Sequence, residues 1–230
     1  MNPVVSETQV VRLGLVEFAD AFELQEKLVA ARKADRISDI LLLLRHPNVI
    51  TLGRAGSRRF LKAPPERLAQ DGYPVVEAGR GGEVTFHGPG QLVSYPILKL
   101  LDKEKDLHLH LRRLEQVGID ICASYGLDAH RVGGATGVWL KKRKIAAIGV
   151  RARSWITFHG MAFNVTNELE GFEKIVPCGL ADAEVTSLQQ ETTSTVNWKE
   201  LENCFVEHFQ KVFLRDTVEV TRIEMERQLL

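Results

Sequence analysis

Gly137-Val138-Trp139-Leu140-Lys141-Lys142-Arg143-Lys144-Ile145-Ala146-Ala147-Ile148-Gly149-Val150-Arg151-Ala152-Arg153-Ser154-Trp155-Ile156-Thr157-Phe158-His159-Gly160-Met161-Ala162-Phe163-Asn164-Val165 is the stretch that sets the fold class. It reads as three strands, Gly137 to Leu140, Lys144 to Arg153 and Ile156 to Val165, joined by short turns at Lys141-Lys142-Arg143 and Ser154-Trp155. Turns this short make an antiparallel meander, because a parallel pair needs a long crossover.

Upstream, Ile40-Leu41-Leu42-Leu43-Leu44 reads as a buried strand stopped by Arg45-His46-Pro47, and Val49 to Leu52 as the next. Shorter strand candidates at Val75 to Glu77, Glu83 to Phe86 and Leu92 to Tyr95 are bounded by Gly or Pro, and a basic loop runs from Arg54 to Pro65. Helical spacing gathers Phe18, Ala21, Phe22, Gln25, Leu28 and Val29 on one stripe, and Leu111, Leu114, Ile121, Cys122 and Tyr125 on another. A last helix starts at Asn197 as N-cap, with Glu200 three residues on, and turns Trp198, Leu201, Phe205, Phe209 and Val212 inward. A regular β-α-β alternation is missing. The expected class is therefore α/β of an α+β-like kind, a mixed sheet with flanking helices, and a doubly wound sheet is disfavoured.

The 230 residues are 44% hydrophobic, enough for one substantial core, so residues 1–230 are expected to form a single domain. Thirty basic and thirty acidic side chains cancel, which speaks against nucleic acid and anionic membrane as partners. The start Met1-Asn2-Pro3-Val4-Val5-Ser6 has no basic region leading into an apolar one, and no apolar run approaches the roughly 20 residues of a membrane span. A cytoplasmic location is expected, and cysteines only at 122, 178 and 204 agree with a reducing compartment.

Two of those cysteines fall on or beside helical stripes and read as small buried hydrophobes. Cys178 differs, since Pro177 restricts the backbone before it and Gly179 removes a side chain after it, presenting the thiol on a turn. A free thiol ionises near pH 8.5, so a nucleophile there needs a neighbouring cation or helix N-terminus. Lys144 is the candidate: unlike Lys141, Lys142 and Arg143 of the turn, it opens a strand with two apolar faces, where lost hydration favours a neutral amine able to shuttle protons. The segment Gly79 to Gln91 carries glycines at 79, 81, 82, 88 and 90, so its backbone N–H groups can approach a carboxyl, a phosphate or an oxyanion; a hairpin that needs glycine only for turns has the same composition. No G-x-x-x-x-G-K-[ST] loop is present. His87 ends a strand candidate, while His108 and His110, two apart on a helix, read as solvated. No zinc spacing is found.

Taken in order, Arg45-His46-Pro47, Leu52-Gly53-Arg54, Arg80 to Gln91, Gly137-Val138-Trp139, Lys144 to Val150, Thr157 to Val165 and Ile175-Val176-Pro177-Cys178-Gly179 resemble the lipoyl(octanoyl) transferase family. The resemblance implies the fold shared with lipoate and biotin protein ligases. It also implies transfer of octanoate from octanoyl-acyl carrier protein to a lysine of lipoyl domains, in 2-oxoacid dehydrogenase E2 subunits and in the glycine-cleavage H protein. By the same resemblance Cys178 is the catalytic nucleophile and Lys144 its activator. The acyl site is lined by Arg80, Gly81, Gly82, Glu83, Val84, Thr85, Phe86, His87, Ala147, Ile148, Gly149, Gly160, Met161 and Ala162, with Phe163 a further candidate wall. Backbone donors near Gly81, Gly82 and His87 are expected to hold the oxyanion, and no ATP, metal or other cofactor is implied. An ATP-dependent ligase and a non-catalytic module that only docks carrier proteins are the rival readings.

Overall fold

The computed structural model describes residues 7–176 and 184–229. In chain order the elements are β1 (Thr8–Leu15), α1 (Phe18–Lys33), β2 (Ile40–Arg45), β3 (Val49–Leu52), α2 (Pro65–Gln70), β4 (Val75–Glu77), β5 (Val84–His87), β6 (Gln91–Ile97), α3 (Leu107–Ser124), β7 (His130–Val132) and β8 (Ala135–Leu140). They continue with β9 (Arg143–Arg153), β10 (Ile156–Asn164), α4 (Glu170–Glu173), β11 (Glu184–Val185), α5 (Leu188–Glu191), α6 (Trp198–Phe213), β12 (Thr217–Glu219) and α7 (Arg222–Arg227).

The unbroken apolar run of β2 is explained by burial on both faces. Leu41 and Leu43 enter a core built with Leu114, Val117 and Ile121 of α3 and Leu201, Phe205 and Phe209 of α6. Ile40, Leu42 and Leu44 alternate into a second core with Ala21, Leu28 and Val29 of α1. Helices thus cover both sides of one large sheet, ordered β12-β1-β2-β6-β10-β9-β8-β7, with β11 attached to β9. The meander β8-β9-β10 is antiparallel as the short turns require, and the β9–β10 turn has Ser154 and Trp155 both at positive φ, the geometry that matches strand twist. A smaller sheet, β4-β3-β5, packs around Ile50, Leu52, Val84 and Phe86.

Eight elements were not expected from the sequence: the short α2, β7, α4, β11 and α5, and, at the two ends of the chain, β1, β12 and α7. β1 pairs in parallel with both β2 and β12, so the sheet is mixed. Buried Asp39, at the entry to β2, ties this side together: it accepts from Arg32 Nε at 2.7 Å, Arg215 Nη1 at 2.6 Å and the Lys99 N–H at 3.0 Å. The expectation for His110 is corrected. It is buried, edge-on to Phe213 with ring centroids 5.5 Å apart, because the packing of α6 against α3 covers the first turns of α3. Among the described residues no helix is long and apolar enough to cross a membrane.

Candidate active site

Strand alternation sorts the glycine-rich segment before any ligand is considered. On β5, Phe86 turns into the core of the small sheet, against Tyr73 and Phe172, while Thr85 and His87 face a pocket between the small sheet and β9–β10. Around that pocket the fold gathers Arg80, Gly82, Glu83, Val84, Thr85 and His87 from one side and Lys144, Ala147, Ile148, Gly149, Gly160, Met161 and Ala162 from the other. Gly81 and Phe86 lie outside its lining, and Phe163 belongs to the core beneath α3 and α6. Phe18, Val93, Tyr95, Thr136 and His159 complete the wall. They were missed because they come from four separate elements, α1, β6, β8 and β10, although Val93 and Tyr95 share one face of β6 by simple alternation.

Glycines at 149 and 160 serve close approach as much as space. A Cβ on Gly149 would sit 2.7 Å from Gly81 O and 3.1 Å from Arg80 Cδ, and one on Gly160 would collide with the Ser94 carbonyl. The Gly81 N–H donates to Val150 O at 2.9 Å, so it holds the segment to β9 and is already occupied as a candidate oxyanion donor. Arg80 is locked in turn, donating from Nη2 to Thr51 O at 2.7 Å and to Thr51 Oγ1 at 2.9 Å.

From Thr51 a buried chain of hydrogen bonds crosses to the large sheet, and its proton positions are dictated by carbonyls that can only accept. Asn164 Nδ2 donates to Thr186 O at 3.0 Å, leaving Oδ1 to accept from Gln91 Nε2 at 2.9 Å. Gln91 Nε2 also donates to Phe86 O at 3.2 Å, so Gln91 Oε1 must accept from His87 Nδ1–H at 2.8 Å. His87 Nε2 therefore carries the lone pair and faces Thr51 Oγ1 at 3.4 Å. The same logic makes His46 neutral: Nδ1 donates to Val16 O at 2.7 Å and Nε2 accepts from Tyr95 OH at 2.8 Å. Burial holds the imidazoles uncharged, pushing His46 down to about 4 and, with Arg80 and Arg151 nearby, His159 to about 3. His87 lies well below its ordinary value for the same first cause, aided by His46 and Arg80. Tyr95 is displaced upward by burial and stays a neutral donor.

Lys144 stands at the other end. It is 6% exposed, whereas Lys141 and Lys142 are exposed on the turn. Its Nζ donates to Thr136 O at 3.2 Å and lies 4.7 Å from the centre of the Trp139 ring. Gly137 provides the room, since a Cβ there would approach Lys144 Cε to 3.2 Å. On the opposite edge of β9, where β10 no longer pairs, β11 sets Val185 beside Lys144, and Thr186 N–H donates to Lys144 O at 3.0 Å. Cys178 lies outside the described residues. The chain ahead of it is fixed by the Val176 N–H donating to Phe60 O at 2.8 Å, and the chain after it resumes in β11. Cys122 is buried, with its thiol pushed up to about 12 by burial, and Cys204 is half-buried.

Known proteins place this arrangement. Octanoyltransferase of Solibacter usitatus is 45% identical over 202 residues, covering 88% of this chain and 91% of the relative. Octanoyltransferase of Geobacter sulfurreducens is 49% identical over 183 residues, covering 80% and 75%. Among solved structures, lipoate-protein ligase A bound with ATP superposes with a TM-score of 0.77 at 17% identity, covering 97% of this chain and 92% of that one. Biotin protein ligase from Aquifex aeolicus does so at 0.53 and 12%, covering 90% and 69%. These structural likenesses support the fold expected from the sequence. Since residues 17–210 match the Lipoyl protein ligase A/B catalytic domain and the relatives named above share nearly half their residues with it, the chain belongs to the octanoyltransferases of that family.

Proposed function

We propose that this chain moves an octanoyl group from octanoyl-acyl carrier protein to a lysine of a lipoyl domain, through a thioester on Cys178 with Lys144 as general acid and base. The observation that carries the reading is Lys144. A buried primary amine stands at one end of a pocket walled by Val84, Ala147, Ile148 and Met161, on the strand that pairs with the first described residues after Cys178. An apolar wall suits an alkyl chain, at about 0.8 kcal/mol per buried methylene.

Lys144 takes the Cys178 proton, and the thiolate attacks the carbonyl carbon of the donor thioester. The tetrahedral oxyanion collapses, the bond to the carrier sulfur breaks, and the departing thiolate recovers the proton from Lys144. The acceptor lysine then attacks the octanoyl-Cys178 carbonyl and gives a proton to Lys144, which passes it to the released Cys178 thiolate. With the Gly81 N–H committed to Val150 and the His87 Nδ1–H to Gln91, Gly82 remains as the expected oxyanion donor from the glycine-rich segment. The acyl group arrives as a thioester, so the route consumes no nucleotide. A related fold from Thermoplasma acidophilum is described with its E2 lipoyl domain, which supports the same class of acceptor here.

Incubation with octanoyl-acyl carrier protein alone is expected to add one octanoyl mass to the chain, removable by neutral hydroxylamine and discharged as an amide when a lipoyl domain is added. Cys178→Ser should abolish loading, while Cys122→Ser and Cys204→Ser should still load. An adduct on another residue, or full transfer by Cys178→Ala, would reject the covalent route.

A further inference from the structure

Glu115 is fully buried in the middle of α3, yet the octanoyl-transfer chemistry leaves it no role. Its Oε2 accepts from Arg112 Nη1 at 2.6 Å and from Arg131 Nε at 3.0 Å. Its other oxygen, Oε1, accepts from the backbone N–H of Gly137 at 3.1 Å. That N–H belongs to the same peptide unit as the Thr136 carbonyl, the group to which Lys144 Nζ donates. One peptide plane therefore has a buried carboxylate on its N–H edge and the buried amine on its C=O edge.

The backbone makes this plane unusually free to turn. Gly137 has φ 139°, in a region open to glycine, and the pairing of β8 with β9 shifts register beside it, between Val138 and Trp139. A peptide flanked by glycine at a break in the ladder can rotate unless something holds it. Arg112 and Arg131 hold Glu115, Glu115 holds the N–H, and the carbonyl is thereby aimed at Lys144. A carboxylate on the N–H side also polarises the peptide and strengthens its oxygen as an acceptor.

We propose that Glu115 is a positioning residue for Lys144, acting through the Thr136–Gly137 peptide. The inference rests on the proposed role of Lys144 in acyl transfer. What Glu115 supplies is reach, a hydrogen-bond acceptor at a fixed place, more than charge. Two conservative substitutions separate these. Glu115→Asp keeps the carboxylate for the two arginines but withdraws it by one methylene from Gly137. Glu115→Gln keeps an acceptor within reach and removes the charge.

The test uses the full chain with octanoyl-acyl carrier protein and a lipoyl domain, comparing kcat, KM and melting temperature. In Glu115→Asp, kcat should fall about tenfold to a hundredfold, the scale for a misplaced catalytic group, with KM for the donor unchanged. In Glu115→Gln the loss should stay within about threefold, a modest weakening of a hydrogen bond that still forms. Added to Lys144→Ala, Glu115→Asp should cost nothing further, because both act on one group. A readout independent of turnover is reductive methylation of Lys144 by formaldehyde and cyanoborohydride, followed by peptide mass spectrometry: Glu115→Asp should label severalfold faster than the parent chain. Unchanged labelling with unchanged kcat in Glu115→Asp would overturn the inference, as would a greater loss in Glu115→Gln than in Glu115→Asp. Full activity in Lys144→Ala would instead remove the proposed function on which the inference stands, and the labelling result would still show whether the peptide is held.

Discussion

Lys144 and Lys142 are two residues apart in one basic run, and burial separates them: Lys142 is exposed on the turn while Lys144 lies under Trp139. Lys144→Ala should leave a folded protein in which both the loading and discharge steps are slowed by about two to four orders of magnitude, the contribution typical of a positioned acid–base group, and Lys142→Ala should be nearly silent in the same assays. This distinction was legible in the sequence because a strand with two apolar faces has no solvent side to offer a lysine. His110 was not legible. Its own turn of α3 is rich in polar residues, and its cover comes from Phe213, about a hundred positions along the chain. Neither ring nitrogen has a hydrogen-bond partner among the described residues, and burial, aided by Arg113 and Arg215, pushes its pKa down to about 3. His110→Leu is expected to stabilise by about 2 kcal/mol more at pH 5 than at pH 7.5, because at pH 5 the unfolded parent chain gains a proton that the folded one refuses. Urea midpoints at the two pH values decide this, and the same difference between parent and variant at both would refute it.

At the scale of elements, the antiparallel meander was readable because its strands touch in sequence, whereas β1 was not. Val10 and Val11 are completely buried, but Arg12 and Gly14 interrupt the apolar pattern, and the strand's two partners lie beyond a helix on one side and across most of the chain on the other. What joins these distant parts is Asp39, a carboxylate 1% exposed that receives Arg32 from the end of α1 and Arg215 from the chain leaving α6. Removing one partner strands the others in a poorly hydrated place. Asp39→Ala should cost about 3–5 kcal/mol, read as a lower urea midpoint with an unchanged activity per folded molecule. A loss under about 1 kcal/mol, the worth of an exposed ion pair, would mean that the arginines relax into solvent. The pocket itself was half legible for a related reason: the glycine-rich segment announces itself locally, but the ring of Phe18, Tyr95 and His159 exists only once α1, β6 and β10 have packed.

Across the whole molecule, buried neutral histidines set the acid side of the stability curve. For His46, His110 and His159 the folded values of about 4, 3 and 3 lie below the unfolded one, so their contribution is complete above roughly pH 6.5 and is lost as pH falls toward 4 and then 3. Each contributes a slope of up to roughly 1.4 kcal/mol per pH unit in that window, and the urea midpoint should therefore drop steeply between pH 6.5 and 5. A flat midpoint over that interval would show that these rings take up protons while folded. One feature of the fold also bears on how the chain is made. Register places Thr8 beside Thr217, so the partner of the outer edge of β1 leaves the ribosome roughly 10–40 s after β1 itself at ordinary rates of about 5–20 residues per second. During translation that edge has open backbone donors and acceptors, a template for any neighbouring nascent chain. The bulge between Arg12 and Gly14 and the charge on Arg12 make the edge a poor template. When synthesis is complete, the same guanidinium closes on Glu202 and Glu219 at 2.8 Å each, so the residue that guards the unfinished sheet becomes the clasp of the finished one.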